Sequence, residues 1–314
     1  MNKYCSILLL GICFYFLLPI NTMAAELYLE IPKDEYSIQE TFIINIRINV
    51  GHNENINAVD GYLRFPKDIL KIKDFSTGNS ILTFVEEPKI NQEEGLISFV
   101  GIIPGGYGGL ISGDPGQSNL LGKMIFYTTS TGSAQVIFQD GSQVLLSDGK
   151  GTPAKLATKG VVFNIKELEL PTEGQSLKNE WQDELEKDKI PPEDFKPEIV
   201  EINGEYYLVF STKDKGSGVD HYEILEEGPG VAMGKLFLGQ NWTEKESPYL
   251  LKDQSLSSNI KVKVVDKAGN EKIIELPVTY SLSWYKNYFI WVIILVLLSF
   301  LSFQLWYYLK TKEY

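Results

Sequence analysis

The sequence predicts an all-β protein with two sandwich domains and a single transmembrane helix near its C-terminus. In residues 26–166, and again in 198–280, short stretches alternate apolar with polar residues and end in turn formers, as strands do. No amphipathic helical stretch of useful length interrupts the first of these regions. Residues 288–309 carry no charge and are long enough to cross a bilayer.

The N-terminus has the pattern of a secretory signal peptide, which we assign to residues 1–25. Lys3 precedes an apolar run, and the small residues Ala24 and Ala25 come just before the first acidic residue, Glu26. The small residues favour cleavage after Ala24 or Ala25 over an uncleaved anchor.

The C-terminus predicts a single-pass membrane anchor. Aromatic residues flank the uncharged stretch 288–309, and Lys310 and Lys312 follow it. We therefore expect residues 310–314 to be a cytoplasmic tail and the N-terminal ectodomain to lie outside the cell membrane. A removable signal for a lipid anchor is the alternative, and the lysines after the span argue against it.

Composition excludes several kinds of chemistry. Cys5 and Cys13 both lie in the predicted signal, so the mature chain would have no disulfide, no thiolate metal site and no cysteine nucleophile. Arg47 and Arg64 are the only arginines and the net charge is −12, which disfavours nucleic acid as a partner. The acidity fits solubility at a cell surface, with a basic partner or weak cation binding as alternatives.

The first domain, residues 26–166, has the pattern of an antiparallel sandwich. Val59, Gly61, Leu63 and Phe65 place one face of a strand inward, and residues 66–68 end it with turn chemistry. Stretches with comparable strand patterns are 27–31, 42–50, 96–100, 124–127 and 135–138.

Residues 167–197 form a boundary between the two domains. Leu177, Trp181 and Leu185 have four-residue spacing, which predicts a short helix, and prolines then end it. A solvated linker is the alternative. Strand patterns resume in the second domain, residues 198–280, at 206–210, 221–225, 260–264 and 272–276, with turn formers at 214–218 and 266–270.

The first domain resembles the cohesin module of cellulosome scaffold proteins. The resemblance rests on residues 59–72, VDGYLRFPKDILKI, where Phe65 and Pro66 keep the family's turn but the acid is shifted to Asp68. The glycine-led stretches 95–99 and 122–126 and the late stretch 131–138 also match. The resemblance implies a nine-stranded jelly-roll sandwich, related to carbohydrate-binding modules, that binds a calcium-loaded dockerin module through one sheet face. No motif locates the dockerin-contacting residues here.

The second domain is similar to bacterial immunoglobulin-like or fibronectin-like surface domains. The residues that carry this similarity are 216–224 and 264–271, the latter with an aspartate and a glycine in its turn. The similarity implies a smaller sandwich that acts as a spacer.

No catalytic constellation is expected. His52 lies in a polar loop, and His221 follows Asp220 in a predicted strand, where neighbouring side chains point to opposite faces. No carboxylate pair stands in a context that is recognisable for sugar hydrolysis. We therefore predict a protein that is not an enzyme.

Five residues in turns offer oxygen ligands of the kind that Ca²⁺ prefers. Their spacing is not that of a dedicated calcium loop, so turn geometry is the expected role, with weak Ca²⁺ binding as the alternative and no cofactor otherwise expected. They are Asp114, Asn119, Asp140, Asp148 and Asp266.

Residues 101–119 are too glycine-rich to predict a strand, and a mobile connection is expected there. Tyr107 is the aromatic residue predicted to be exposed in it, as a contact for a sugar or a protein partner.

The sequence as a whole predicts a membrane-anchored cell-surface binding or scaffold protein that captures a dockerin-like protein module. A carbohydrate-binding surface protein is the first alternative and a surface hydrolase the second. Planar aromatics along one sheet face would favour the sugar, whereas a flat face of mixed polarity would favour the protein.

Overall fold

The computed structural model describes residues 25–51, 54–84, 86–109, 119–168, 178–227, 242–276 and 288–312, and in the last range the side chains of 291–304. The predicted signal up to Ala24, His52 and Asp114 lie outside these ranges. The chain divides into two compact units. The first contains the residues up to 193 together with 212–220 and 265–271, and the second contains 194–211, 221–264 and the residues from 272 onward.

One sheet of the first unit has five strands, numbered here in chain order along the whole protein. In sheet order they are β12 (Leu156–Lys159), β1 (Ala25–Glu30), β3 (Thr41–Asn49), β9 (Leu120–Thr128) and β5 (Leu70–Ser76). β12 and β1 are parallel, and the other pairs are antiparallel.

The other sheet of the first unit has eight strands. Its main path is β2 (Glu35–Ser37), β13 (Val161–Lys166), β10 (Gly132–Phe138), β4 (Ile56–Arg64), β8 (Leu96–Tyr107) and β6 (Thr83–Phe84). Off this path, β11 (Gln143–Leu146) pairs with β4, and β7 (Lys89–Asn91) pairs with β8.

A single apolar core contains side chains from both of these sheets, so the predicted β-sandwich is confirmed. Phe42 of the five-stranded sheet stacks on Tyr36 with ring centroids 4.0 Å apart, and it meets Phe163 of the eight-stranded sheet edge-on at 5.2 Å. Val59, Gly61 and Leu63 are buried as the alternation predicted. Burial of this apolar surface is the main stabilising term of the fold.

The glycine-rich stretch that begins at Gly101 was wrongly predicted to lie outside a strand. β8 continues to Tyr107, which pairs with Ile56 across an irregularity in the ladder. Gly105 and Gly106 have φ angles of 82° and 78°, a left-handed conformation that glycine adopts without strain. The glycines therefore shape the end of this strand instead of preventing it.

The second unit has two sheets and a core of its own around Leu208, Ile224 and Val262. The three-stranded sheet contains β14 (Glu198–Ile202), β15 (Glu205–Val209) and β18 (Tyr249–Leu250). The four-stranded sheet contains β17 (Thr243–Glu244), β16 (Val219–Glu227), β19 (Asn259–Asp266) and β20 (Glu271–Leu276).

The boundary between the units is less simple than the sequence predicted, because 212–220 and 265–271 group with the first unit. The Ser76 hydroxyl donates to the carbonyl oxygen of Ser217 at 2.5 Å, and the ammonium of Lys267 lies 2.7 Å from the carboxylate of Asp74. These residues are far apart in sequence, so no local pattern reports their contact.

Helix α1 (Glu180–Lys187) lies in the stretch for which a helix and a solvated linker were both considered. Asn179 caps it by accepting a hydrogen bond from the N–H of Gln182 at 3.0 Å. Ion pairs join it to the rest of the first unit: Glu180 lies 3.0 Å from Lys33, and Glu184 lies 2.7 Å from Lys123 of β9.

Helix α2 (Tyr288–Lys312) contains the stretch predicted as a membrane anchor. Within the part of the chain that the structure describes, no helix is long and apolar enough to cross a membrane. The transmembrane assignment of 288–309 is therefore not supported by the structure.

Candidate functional site

The outward side of the eight-stranded sheet is the candidate binding surface. Successive side chains of a strand point to opposite faces, so the residues that alternate with the buried ones form this side. We call it the outer face and define it by Asp60, Tyr62, Arg64, Ser98, Val100, Ile102, Gln135, Ile137, Val162 and Asn164.

Strand pairing brings polar and apolar members of the outer face together. Tyr62 lies opposite Ser98 and Asp60 lies opposite Val100 on the neighbouring strand. Tyr62, the single aromatic member, is 40% exposed, and Ile102 is 47% exposed. The outer face is therefore of mixed polarity with exposed apolar positions.

Hydrogen bonds hold part of the outer face in place. The guanidinium Nε of Arg64 donates to the amide oxygen of Gln139 at 3.3 Å, and the backbone N–H of Tyr62 donates to the Ser142 hydroxyl at 3.0 Å. The turn after β10 thus supports the strand that carries Tyr62. Preorganised side chains lose less entropy when a partner binds.

The five-stranded sheet differs because α1 packs against its strand β3. The N–H of Ile43 in β3 donates to the Glu180 carboxylate at 3.4 Å, and the Lys123 side chain is only 10% exposed beside Glu184. This helix covers part of that sheet.

Tyr107 is not the exposed loop residue that the sequence predicted. It ends β8, is half-buried, and packs against the core of the first unit. Its proposed role as a ligand contact stays a prediction, and its burial leaves less ring surface for a sugar or a partner.

The turn residues for which Ca²⁺ binding was the alternative have different structural roles. Asp148 accepts hydrogen bonds from the Thr152 hydroxyl and, at 2.8 Å, from the Lys150 N–H, and these donors hold the pKa of its carboxyl below the usual value. Asn119 is buried and its amide oxygen accepts from Arg47 at 2.8 Å. Asp140 lies exposed at a turn.

Asp266 instead joins Asp188 and Asp214 in a buried group that we call the aspartate cluster. The three residues are 2%, 8% and 4% exposed, and one carboxylate oxygen from each lies within 4.8 Å of the others. Burial raises the pKa of the Asp214 carboxyl, and the negative charges of Asp188 and Asp266 raise it further, against the lowering effect of the N–H groups of Gly216 and Gly218.

Sequence reasoning selected Asp266 and missed its two partners. Asp214 begins a turn-forming string, 214–218, that resembles the string 266–270, and this shared pattern was the available signal. Asp188 follows the last residue of α1 and has no such signal. His221 lies in β16 directly after Asp220, an arrangement that points their side chains to opposite faces of the strand.

No protein-family profile matches the sequence, and no curated protein is similar to it. Solved structures similar to part of the chain include the cohesin module of a family 33 glycoside hydrolase from Clostridium perfringens. This match has 11% identity and a TM-score of 0.37, and it covers 46% of this chain and 98% of that one. The sixth cohesin of scaffoldin B from Acetivibrio cellulolyticus, in complex with a dockerin, has 14% identity and a TM-score of 0.36, and the match covers 46% of this chain and all of that one (100%).

A type I cohesin–dockerin complex from Clostridium thermocellum has 15% identity and a TM-score of 0.36, with coverage of 46% of this chain and 95% of that one. These three structures contain cohesin modules, the family that the first domain resembles in sequence. At these values the likeness says nothing about the partner or activity of this chain.

Proposed function

We propose that this protein is a non-catalytic binding protein whose first unit captures a folded protein module on the outer face. The observation that carries the proposal is the mixed, exposed surface of the eight-stranded sheet, where Ile102 and Val162 are 47% and 59% exposed. Exposed β-branched side chains on a sheet face stabilise a complex when a partner covers them, because their apolar surface leaves water.

The composition of the outer face favours a protein over a polysaccharide. Sugar rings are bound by stacking on planar aromatic side chains, and Tyr62 is the single aromatic residue of the outer face. Protein interfaces combine apolar centres with a polar rim, as Ile102 and Val100 do with Asp60 and Arg64. Dockerin modules, with which two of the similar cohesins are in complex, are the first partners to test.

The test uses the full-length chain and two matched variants. Ile102→Asp places a charge on the outer face, and Ile202→Asp places the same charge on an isoleucine of the second unit that is 45% exposed. Titration calorimetry with purified type I and type II dockerin modules, and with any secreted protein that cross-links to the chain, measures the dissociation constants.

We expect Ile102→Asp to weaken binding at least tenfold, since a charge buried without a partner disrupts an interface centre, and Ile202→Asp to leave it unchanged. Equal affinity of both variants for every protein that binds would overturn the assignment of the outer face. Binding of polysaccharide that is lost in Tyr62→Ala would replace it by the carbohydrate alternative.

Display outside the cell is part of the same proposal and rests mainly on the sequence. The uncharged stretch 288–309 and the signal-like residues 1–25 support it. Ala25 is fully buried in β1, which favours a cut after Ala24. Protease added to intact cells should degrade both units and leave a short membrane-bound fragment, and protection of both units would overturn the location.

A further inference from the structure

The aspartate cluster brings together three segments of the first unit that are distant in sequence. Asp188 follows the end of α1, Asp214 lies in the loop before β16, and Asp266 ends β19. At least one oxygen of each carboxylate lies within 4.8 Å of an oxygen of the other two, and all three residues are more than nine-tenths buried. Three carboxylates so close together repel each other strongly when all are ionised.

The lysines that follow Asp214 and Asp266 in sequence form ion pairs with carboxylates outside the aspartate cluster. Lys215, beside Asp214, lies 2.6 Å from Glu193, and Lys267, beside Asp266, lies 2.7 Å from Asp74. Among the described residues, no lysine or arginine makes an ion pair with the aspartate cluster. Buried carboxylates without a cationic partner are found in proteins mainly where they take up a proton or coordinate a metal.

Hydrogen bonds orient the three carboxylates and leave acceptor capacity unused. Asp188 and Asp266 each accept one hydrogen bond on each oxygen, and Asp214 accepts two on Oδ2. The donors are the N–H groups of Ile190, Gly216, Ser217, Gly218 and Asn270 and the side-chain amide of Asn270. A carboxylate has about four lone-pair sites, so each aspartate can still accept a further hydrogen bond or donate a lone pair to a cation.

The Oδ1 atom of Asp214 is the most direct indication of a ligand. No hydrogen-bond donor reaches this atom, and water does not replace one, because Asp214 is buried and only 4% exposed. Leaving a charged oxygen buried and unsatisfied is strongly unfavourable. A positively charged ligand at the aspartate cluster would satisfy this atom and neutralise the repulsion at the same time.

We propose that Asp188, Asp214 and Asp266 bind one hard divalent cation, with Ca²⁺ preferred over Mg²⁺. Ca²⁺ holds oxygen ligands at about 2.3–2.6 Å, so ligands on opposite sides of the ion lie up to about 5 Å apart, whereas Mg²⁺ requires about 2.0–2.1 Å and strict octahedral geometry. The 4.8 Å limit on the oxygen separations fits the larger ion. The bound ion would cross-link α1, the loop before β16 and the turn after β19, and this inference does not depend on the proposed function.

The test begins with the purified full-length chain, freed of metal with a chelator. Titration calorimetry with CaCl₂ should reveal one site, and thermal unfolding at a 100-fold excess over the dissociation constant should show a rise of about 5–10 °C for the first unit. MgCl₂ should bind at least tenfold more weakly. Absence of both heat and thermal shift at about 10 mM, roughly ten times the weak limit of about 10⁻³ M for extracellular calcium sites, would overturn the proposal, as would tighter binding of Mg²⁺.

Two variants separate a ligand from a structural aspartate. Asp214→Asn keeps the shape but removes a charge, so in chelator it should be as stable as the unmodified chain or more stable, and it should lose the Ca²⁺-dependent thermal shift. Asp140→Asn, at an exposed turn, is the matched control and should keep the full shift. If Asp214→Asn kept the shift, or Asp140→Asn lost it, the aspartate cluster would not be the binding site.

Discussion

Gly61 lies directly beneath the ring of Phe99, its cross-strand partner on β8. A Cβ atom added at Gly61 would lie 2.3 Å from Cε1 of Phe99, well inside van der Waals contact. The absence of a side chain at one residue therefore makes room for a large buried ring at the other, and this complementary packing gives the first prediction.

Gly61→Ala should lower the free energy of unfolding of the first unit by about 1–3 kcal/mol, because the added methyl displaces the Phe99 ring. In a Phe99→Leu background the same substitution should have a smaller effect, since the smaller side chain leaves space. Urea denaturation of the four chains measures the coupling. Gly108→Ala, where a Cβ would meet only ordinary contact distances, is the control. An equal loss in both backgrounds would contradict the packing argument.

The Lys123–Glu184 ion pair should be asymmetric in its response to mutation. Lys123 is 10% exposed and Glu184 is 39% exposed, so Glu184→Ala leaves a nearly buried ammonium without its partner. We expect this variant to lose about 1–2 kcal/mol of stability, and Lys123→Met to lose less. Thermal unfolding measures both, and the double variant should be more stable than Glu184→Ala alone. A larger loss for Lys123→Met would show that the lysine, not its pairing, stabilises α1.

Asp253 should make the stability of the second unit dependent on pH. Its carboxylate accepts hydrogen bonds from Ser255 at 2.5 and 2.9 Å, from Ser257 at 2.9 and 3.0 Å and from Ser258 at 2.6 Å. These donors, Ser255 foremost, lower the pKa of Asp253 in the folded chain. A lowered folded-state pKa contributes stability above the unfolded value of about 3.9 and loses it as the pH falls through the folded value.

Asp253→Asn should therefore lower the stability of the second unit by about 1 kcal/mol at pH 7, and the difference should shrink below about pH 4. Differential scanning calorimetry between about pH 2 and 7 measures this stability difference. The range extends about two units below and three units above the unfolded pKa of about 3.9. Glu201→Gln, at an exposed position of β14, is the control and should show no such trend. A difference that stayed constant over this range would refute the role of the charge.

A chain that ends at residue 193 should fold cooperatively but unfold at a lower temperature than the first unit of the full chain. It retains the whole apolar core, which lies between residues 25 and 165, but it lacks 212–220 and 265–271 and with them the Lys267–Asp74 ion pair. Calorimetry compares it with a chain that ends at residue 276. Equal unfolding temperatures would show that those two segments add no stability.

Local patterns predicted several of the strands, among them β3, β4 and β9. Alternation at Val59, Gly61 and Leu63 identified a face that is buried, because the period of a strand makes sequence order report orientation directly. The same reasoning failed at Gly105 and Gly106, where composition argued against a strand but the ladder with β4 continues past an irregularity. Pairing energy from a neighbouring strand outweighed local propensity there.

By itself, the sequence determined that this is an all-β protein with two apolar cores, since apolar periodicity depends only on which residues must leave water. Tertiary structure decided which strands lie side by side in the outer face and which aspartates meet. Asp188, Asp214 and Asp266 come from a helix end, a loop and a strand end, and only the folded arrangement places their carboxylates within 4.8 Å. Chain position cannot encode such proximity, because it arises from the packing of segments that are remote in sequence.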